Sequence, residues 1–220
     1  QYKQSNTIEA FVNKAFQSET KVDESQLLGL PYLIKKVAIK IMESIIDLDI
    51  AQQHPFRVIG LEKKIEQIAL PLSNNRTIWL KGFIDRIDEV KEGEHHYIRI
   101  IDYKSGGLTF YKNRKWDMES YLSAIFSDKK YAGLQGLFYA VLLENQFPNQ
   151  PMKAAFYVGR ELQKGLQYIV NASFIEAELL EQFKLGLQEK MEELFNLQIP
   201  FEANPSIENR QYSPYKALLA

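Results

Sequence analysis

The sequence predicts an α/β protein, a mixed α+β sheet with flanking helices, on three observations. Apolar residues recur at helical spacing over 7–16 and 31–51. Three strand-like segments separated by turn residues follow. The remainder alternates helix, strand pair and helix. At 220 residues and 45% hydrophobic content the chain can bury one sizeable core, so one domain is expected over 1–220.

The elements follow in order. Thr7–Phe16 and Pro31–Ala51 are helices. In the second, Leu33, Val37, Ile41 and Ile45 form an i,i+4 stripe with Ile34, Ala38, Met42 and Ile46 beside it, broad enough to lie against a sheet. After His54-Pro55 the pattern becomes strand-like through Phe56–Leu70, turns at Ser73-Asn74-Asn75, and resumes as Thr77–Asp88. Lys91-Glu92-Gly93-Glu94 is a second turn and Tyr97–Lys104 a third strand, completing a meander. Leu108–Lys130, with Lys112, Arg114, Lys115, Lys129 and Lys130, is polar and irregular and reads as a surface insertion. A helix is expected over Tyr131–Glu144, then strands Lys153–Gly159 and Leu166–Asn171 across Gln163-Lys164-Gly165. Ser173 and Glu176 make a capping box for a last helix, Phe174–Leu197, with Leu180, Phe183, Leu187, Met191 and Leu194 facing the core.

Composition bounds the function classes. A net charge of −1 means that any nucleic-acid contact must come from a local patch. The absence of cysteine removes disulfides, thiolate zinc and iron–sulfur ligation, and fits a reducing cytoplasm. No apolar run is long enough to span a bilayer, so a cytoplasmic protein with no membrane partner is expected. Opening on Gln1 in mid-pattern, the chain reads as an N-terminally truncated piece of something longer: a helical preamble (1–54), a core (55–200) and a tail (201–220).

Along Tyr97–Lys104 side chains alternate faces, so Asp102 and Lys104 stand side by side while Tyr103 points away. They end an apolar strand where it opens into a cleft, and a hairpin about Gly93 can bring Asp85 beside Asp102. Hard oxygen ligands of this kind suit Mg²⁺, which binds through one or two carboxylates plus substrate phosphate. Asp85 and Asp102 would be the ligands, with the Tyr103 backbone carbonyl a third oxygen and Lys104 acting on the attacking water or the phosphoryl charge. Mn²⁺ would be an alternative ion. An isolated Asp-x-Lys is far more often a surface salt bridge.

The neighbours change that balance. Gly82-Phe83-Ile84-Asp85-Arg86-Ile87-Asp88, Ile101-Asp102-Tyr103-Lys104-Ser105-Gly106 and Gln135-Gly136-Leu137-Phe138-Tyr139-Ala140 occur in that order. The series resembles the motifs of the RecB-like PD-(D/E)xK nucleases, and within them the C-terminal nuclease domain of AddB-type helicase-nuclease subunits. The resemblance implies a restriction-endonuclease-like core and a Mg²⁺-dependent DNA exonuclease working with a helicase or helicase-nuclease partner subunit in double-strand break repair and recombination. It assigns metal binding to Asp85 and Asp102, catalysis to Lys104 with both aspartates, and DNA-approaching support to Gln135 and Tyr139. These last two also share a helix face at i,i+4, which an ordinary amphipathic helix would equally explain. Glu62 sits where relatives often carry an acidic metal ligand, although Lys63, Lys64 and Glu66 around it suit a solvated strand equally well. Arg86 is expected to pair with a carboxylate or a phosphate of DNA, and Asp88 to be a turn or pairing residue.

Two departures stand out. RecB-like nucleases usually carry a metal-binding histidine in an N-terminal helix, and no histidine precedes His54, while His95 and His96 fall in a hairpin turn; that ligand is expected upstream of Gln1, with weak or absent cleavage expected of these 220 residues alone. AddB-type domains commonly end in an iron–sulfur cysteine cluster, whereas Ser213 stands where a cysteine is expected beside Pro214-Tyr215-Lys216, so no cluster is expected. Packing of Tyr212, Tyr215 and Leu218 is expected to fix the tail instead. The competing readings are a catalytically incomplete nuclease-fold module acting as a DNA-binding or subunit-contact scaffold, and a free-standing structure-specific or restriction-type endonuclease.

Overall fold

The computed structural model describes residues 5–21, 27–73, 75–110, 117–127, 132–170 and 174–200. Helices α1 (Ser5–Thr20) and α2 (Gly29–Ile50) precede strands β1 (Phe56–Pro71), β2 (Thr77–Glu92) and β3 (His95–Lys104). Then come α3 (Met118–Ile125), α4 (Ala132–Leu143), β4 (Met152–Val158), a 3-10 segment (Gly159–Lys164), β5 (Gln167–Tyr168) and α5 (Ala177–Leu194). One sheet runs β1-β2-β3-β4-β5, antiparallel throughout except for the parallel β3–β4 pair. A parallel pair needs a long crossover, and α3 and α4 provide it. The mixed α/β class expected from the sequence is the one observed.

β3 lies between two partners and is buried from Tyr97 to Asp102, which is why it reads as a nearly continuous isoleucine run. On one face of the sheet Ile84, Ile87, Ile98 and Ile100 pack with Leu137 and Val141 of α4 and Phe183 of α5. Glycine at position 82 permits that approach. A Cβ there would lie 2.8 Å from Leu142 Cδ1 on α4, far inside normal contact.

The other face holds a buried ionic network. Arg86 donates to Asp88 from Nε (2.7 Å) and Nη2 (3.0 Å) and to Asp49 of α2 from Nη1 (2.6 Å). Arg99 donates from Nη2 to Asp88 at 2.8 Å and from Nη1 to Gln52 at 2.9 Å, and the Tyr157 hydroxyl donates to Asp49 at 2.8 Å. The Phe56 ring lies 5.1 Å from the Arg86 guanidinium and 4.9 Å from that of Arg99. Burial alone would lower the pKa of both arginines, but the Asp88 and Asp49 carboxylates hold Arg86 above its ordinary value, and Asp88 does the same for Arg99. Two guanidinium and two carboxylate groups balance in charge, which is what makes their burial tolerable.

Several elements differ from expectation. The 108–130 stretch contains α3, capped by Asp117, whose side chain accepts from the Ser120 N–H at 2.7 Å, with Tyr121 and Ile125 buried. α5 begins three residues late, because Phe174 and Ile175 stay extended: the Ile175 N–H donates to the Met152 carbonyl and Phe174 packs edge-on against Tyr97. Leu194, expected in the core, is 47% exposed at the end of that helix. In α2 the stripe is only half used, since Leu33 and Val37 are exposed while Ile41 reaches Gly159 at the end of β4. Ser173, the basic residues 112, 114, 115, 129 and 130, and the tail from 201 onward lie outside the described residues.

Candidate active site

The site forms where β2 and β3 part. Their ladder runs from the pair Glu92↔His95 to the pair Arg86↔Ile101 and stops. Beyond it the Asp85 carboxylate takes the place of a strand partner, with Oδ2 accepting the Tyr103 N–H at 2.9 Å. Asp85 also marks a change of phase in β2. Leu80 and Ile84 lie in the α4-side core at even positions, and Ile87 joins the same core at an odd one. Across the hairpin, between the pairs Leu61↔Arg86 and Lys63↔Ile84, Glu62 has φ +46°, a left-handed conformation rare for a non-glycine residue.

Asp102 is 3% exposed, one residue beyond the last β2–β3 rung. Its Oδ1 accepts from Gln135 Nε2 at 2.8 Å and from the Tyr139 hydroxyl at 3.3 Å, and Gln135 Nε2 also lies 2.6 Å from that hydroxyl. Its Oδ2 is buried, receives no hydrogen bond, and faces Lys104 Nζ at 2.8 Å. That contact is an ion pair that compensates the buried charge. Burial raises the Asp102 pKa, Lys104 opposes the rise, and the neighbouring Asp85 charge adds to it, for a net shift upward. Burial likewise pushes the Tyr139 phenol up to about 12, keeping it a proton donor at neutral pH.

Asp85, Asp102, Lys104, Gln135 and Tyr139 are therefore one cluster, assembled from β2, β3 and α4. The other expectations fare differently. Arg86 is turned to the opposite face and held by carboxylates, so its side chain, 5% exposed, has no surface for a DNA phosphate; the carboxylate half of that expectation is the one realised. Glu62 is exposed, and among the described residues no three His, Cys, Asp or Glu side chains converge on one point. His54 lies 3.5 Å from Glu92 at the far end of the sheet, and His95 and His96 are exposed at the start of β3, a strand length from Asp102. Arg99 and Asp49 were not singled out, although a lone arginine within Ile98-Arg99-Ile100 is itself the sign of a buried counter-charge.

Chemically the cluster suits a hard divalent cation. The donors are oxygens, one buried carboxylate oxygen lacks a hydrogen bond, and a second carboxylate close by raises the cost of leaving Asp102 ionised without a cation. Residues 2–218 match the PD-(D/E)XK nuclease superfamily, whose members generally use divalent metals. The chain belongs to that superfamily. It is similar to proteins each named as one of the subunits of an ATP-dependent helicase/deoxyribonuclease. The identity is 32% over 120 residues for the protein from Alkaliphilus oremlandii, covering 50% of this chain and 10% of that protein. For Clostridioides difficile it is 42% over 76 residues, covering 32% and 7%. For Clostridium perfringens it is 28% over 134 residues, covering 57% and 10%. The matches thus span a tenth or less of these much longer relatives. Among the described residues no helix is long and apolar enough to cross a membrane.

Proposed function

We propose that this chain is a Mg²⁺-dependent deoxyribonuclease domain that hydrolyses DNA phosphodiesters as an exonuclease, in the cytoplasm, within a helicase-nuclease serving double-strand break repair and recombination. Asp85 and Asp102 would hold the ion, with the Tyr103 carbonyl as a further oxygen, and Mn²⁺ would substitute. The observation that carries the reading is the convergence on Asp102: Lys104 at 2.8 Å, Gln135 at 2.8 Å and Asp85 anchored on the next backbone N–H at 2.9 Å. When bound, the ion supplies phosphate charge neutralisation and an acidified water. Gln135 and Tyr139 fix the Asp102 carboxylate by occupying Oδ1, leaving Oδ2 to the Lys104 ammonium. Asp85 is oriented by the Tyr103 N–H. Lys104, 31% exposed, keeps its ammonium at the mouth of the site, where it can hold a water against the phosphorus or stabilise charge on the phosphoryl oxygens.

The test is Mg²⁺-dependent degradation of labelled single-stranded DNA, compared with Asp102→Ala and Lys104→Ala. Loss in both supports the assignment, and full activity in either sinks it. A second reading, a nuclease-fold scaffold that holds DNA or another protein without cleaving, has one observation in its favour: only two carboxylates converge among the described residues. DNA binding by the wild-type chain with no cleavage in either Mg²⁺ or Mn²⁺ would select it.

A further inference from the structure

Past the last β2–β3 rung, the hairpin continues as a two-stranded arm formed by residues 62–71 of β1 and 77–85 of β2. One side of this arm is occupied. Ile65, Leu70, Leu80 and Ile84 enter the core, the Pro71 carbonyl accepts from Gln188 of α5, and Arg76 pairs with Glu192. The other side is bare, and its composition is unusual. Trp79 is 63% exposed and Phe83 58% exposed, with exposed Lys81 between them on the same face.

Single exposed apolar residues need no explanation. A row of ring, ammonium and ring, at strand steps of about 7 Å, is a different object. Each ring offers a π surface, and Lys81 has no acidic partner among the described residues. The next strand position after Phe83 along that row is Asp85, about 7 Å on, where the phase change turns its carboxylate to the Tyr103 N–H. The bare face is the one turned away from α4, and its row meets the candidate active site only through Asp85, at the edge where β2 and β3 part.

We propose that Trp79, Lys81 and Phe83 form a stacking platform for single-stranded DNA, on which bases lie against the two rings, a phosphate meets Lys81, and the strand is led to Asp85 at the edge where β2 and β3 part. This deepens the nuclease reading and rests on it. The chemistry selects unpaired strands, because rings can stack only on bases whose faces are free, and it is indifferent to sequence because every base has such a face. A face with one lysine lacking an acidic partner among the described residues, in a chain of net charge −1, is a poor footprint for duplex, whose binding rests on many phosphate contacts.

The experiment uses fluorescence anisotropy of a labelled oligothymidylate of about twenty nucleotides, with EDTA present to prevent cleavage, on the full chain. Trp79→Ala/Phe83→Ala should weaken binding about thirty-fold or more, and Trp79→Phe/Phe83→Tyr, which keeps both rings, should restore it to within a few-fold. Lys81→Ala should flatten the dependence of log affinity on log salt by about 0.7. Light scattering and thermal melts on the same proteins verify assembly and folding. Binding by the double alanine variant within two-fold of wild type overturns the platform. So does a wild-type chain that does not bind the oligonucleotide. A change of oligomeric state in the variant with DNA affinity intact also overturns it and assigns the face to self-association. If wild type cleaves DNA while the variant binds normally, the platform falls and the nuclease reading stands. Ring-dependent binding without cleavage in either Mg²⁺ or Mn²⁺ leaves the platform standing and selects the non-cleaving reading for this chain.

Discussion

Asp85 and Asp88 lie three residues apart in one motif, and replacing each with asparagine should separate a metal ligand from a structural anion. Asp88 is fully buried and accepts four guanidinium hydrogen bonds: Arg86 Nε at 2.7 Å, Arg86 Nη2 at 3.0 Å, Arg99 Nε at 3.2 Å and Arg99 Nη2 at 2.8 Å. Asparagine offers one acceptor oxygen, places an NH₂ against a guanidinium, and leaves two buried cations facing Asp49 alone. Breaking a buried ion pair by removing one partner costs about 3–5 kcal/mol, a large share of the roughly 5–15 kcal/mol of a native domain. At about 2–4 °C per kcal/mol for a chain of this size, Tm should fall by about 6–20 °C. Asp85→Asn should behave oppositely. Its amide oxygen can still accept the Tyr103 N–H, and a negative charge beside buried Asp102 is removed, so Tm in EDTA should hold or rise while the response to Mg²⁺ disappears. Differential scanning fluorimetry with and without Mg²⁺ reads both quantities. A fall of less than about 2 °C for Asp88→Asn, or loss of the Mg²⁺ response in Asp88→Asn with stability intact, would refute the division of roles.

Four further outcomes follow from the same geometry. Wild-type chain in Mg²⁺ at ten times its Kd should gain about 1.4 kcal/mol, read as about 3–6 °C in Tm, and Asp102→Asn should gain nothing. Because burial and Asp85 raise the folded-state pKa of Asp102, its ionised form opposes folding, so Asp102→Asn in EDTA should melt above wild type at neutral pH, with the difference shrinking as pH falls and wild-type Asp102 protonates. Gln135→Ala removes the 2.8 Å donor to Oδ1 and should weaken Mg²⁺ about 10–100-fold by titration, a larger effect than Tyr139→Phe, whose contact is 3.3 Å. Gly82→Ala sets a methyl 2.8 Å from Leu142 Cδ1 and should cost about 1–3 kcal/mol by urea unfolding.

Most of the sheet was legible because its strands carry strong signals: turn residues bound β1 to β3, and the isoleucine run marks the strand with neighbours on both sides. The cluster at Asp102 was legible for a related reason, since period-two alternation fixes Lys104 beside Asp102 and i,i+4 spacing fixes Tyr139 beside Gln135. What escaped was set by tertiary packing. α3 is eight residues long, too short for periodicity to stand out, and the Asp117 cap was the one local sign of it. α5 loses its first turn to a backbone bond between Ile175 and Met152, a contact that the Ser173–Glu176 pattern cannot foresee. The stripe of α2 is apolar past the point where the sheet lies under it. Arg86 was ambiguous because carboxylate and phosphate attract the same guanidinium, and its burial against Asp88 and Asp49, the latter thirty-seven residues away, decides between them.

The central position of β3 has a consequence for how the molecule opens. Asp102 and Lys104 ride on a strand hydrogen-bonded to β4 along its whole cleft end, through Lys104↔Val158, whereas the arm of β1 and β2 is paired only with itself. Amide exchange should therefore release the arm at low free energy and the Asp102 segment only near global unfolding. A molecule built this way can let its strand-handling element breathe and admit substrate while the groups that would do chemistry stay in register, so capture and cleavage would draw on different parts of one stability spectrum.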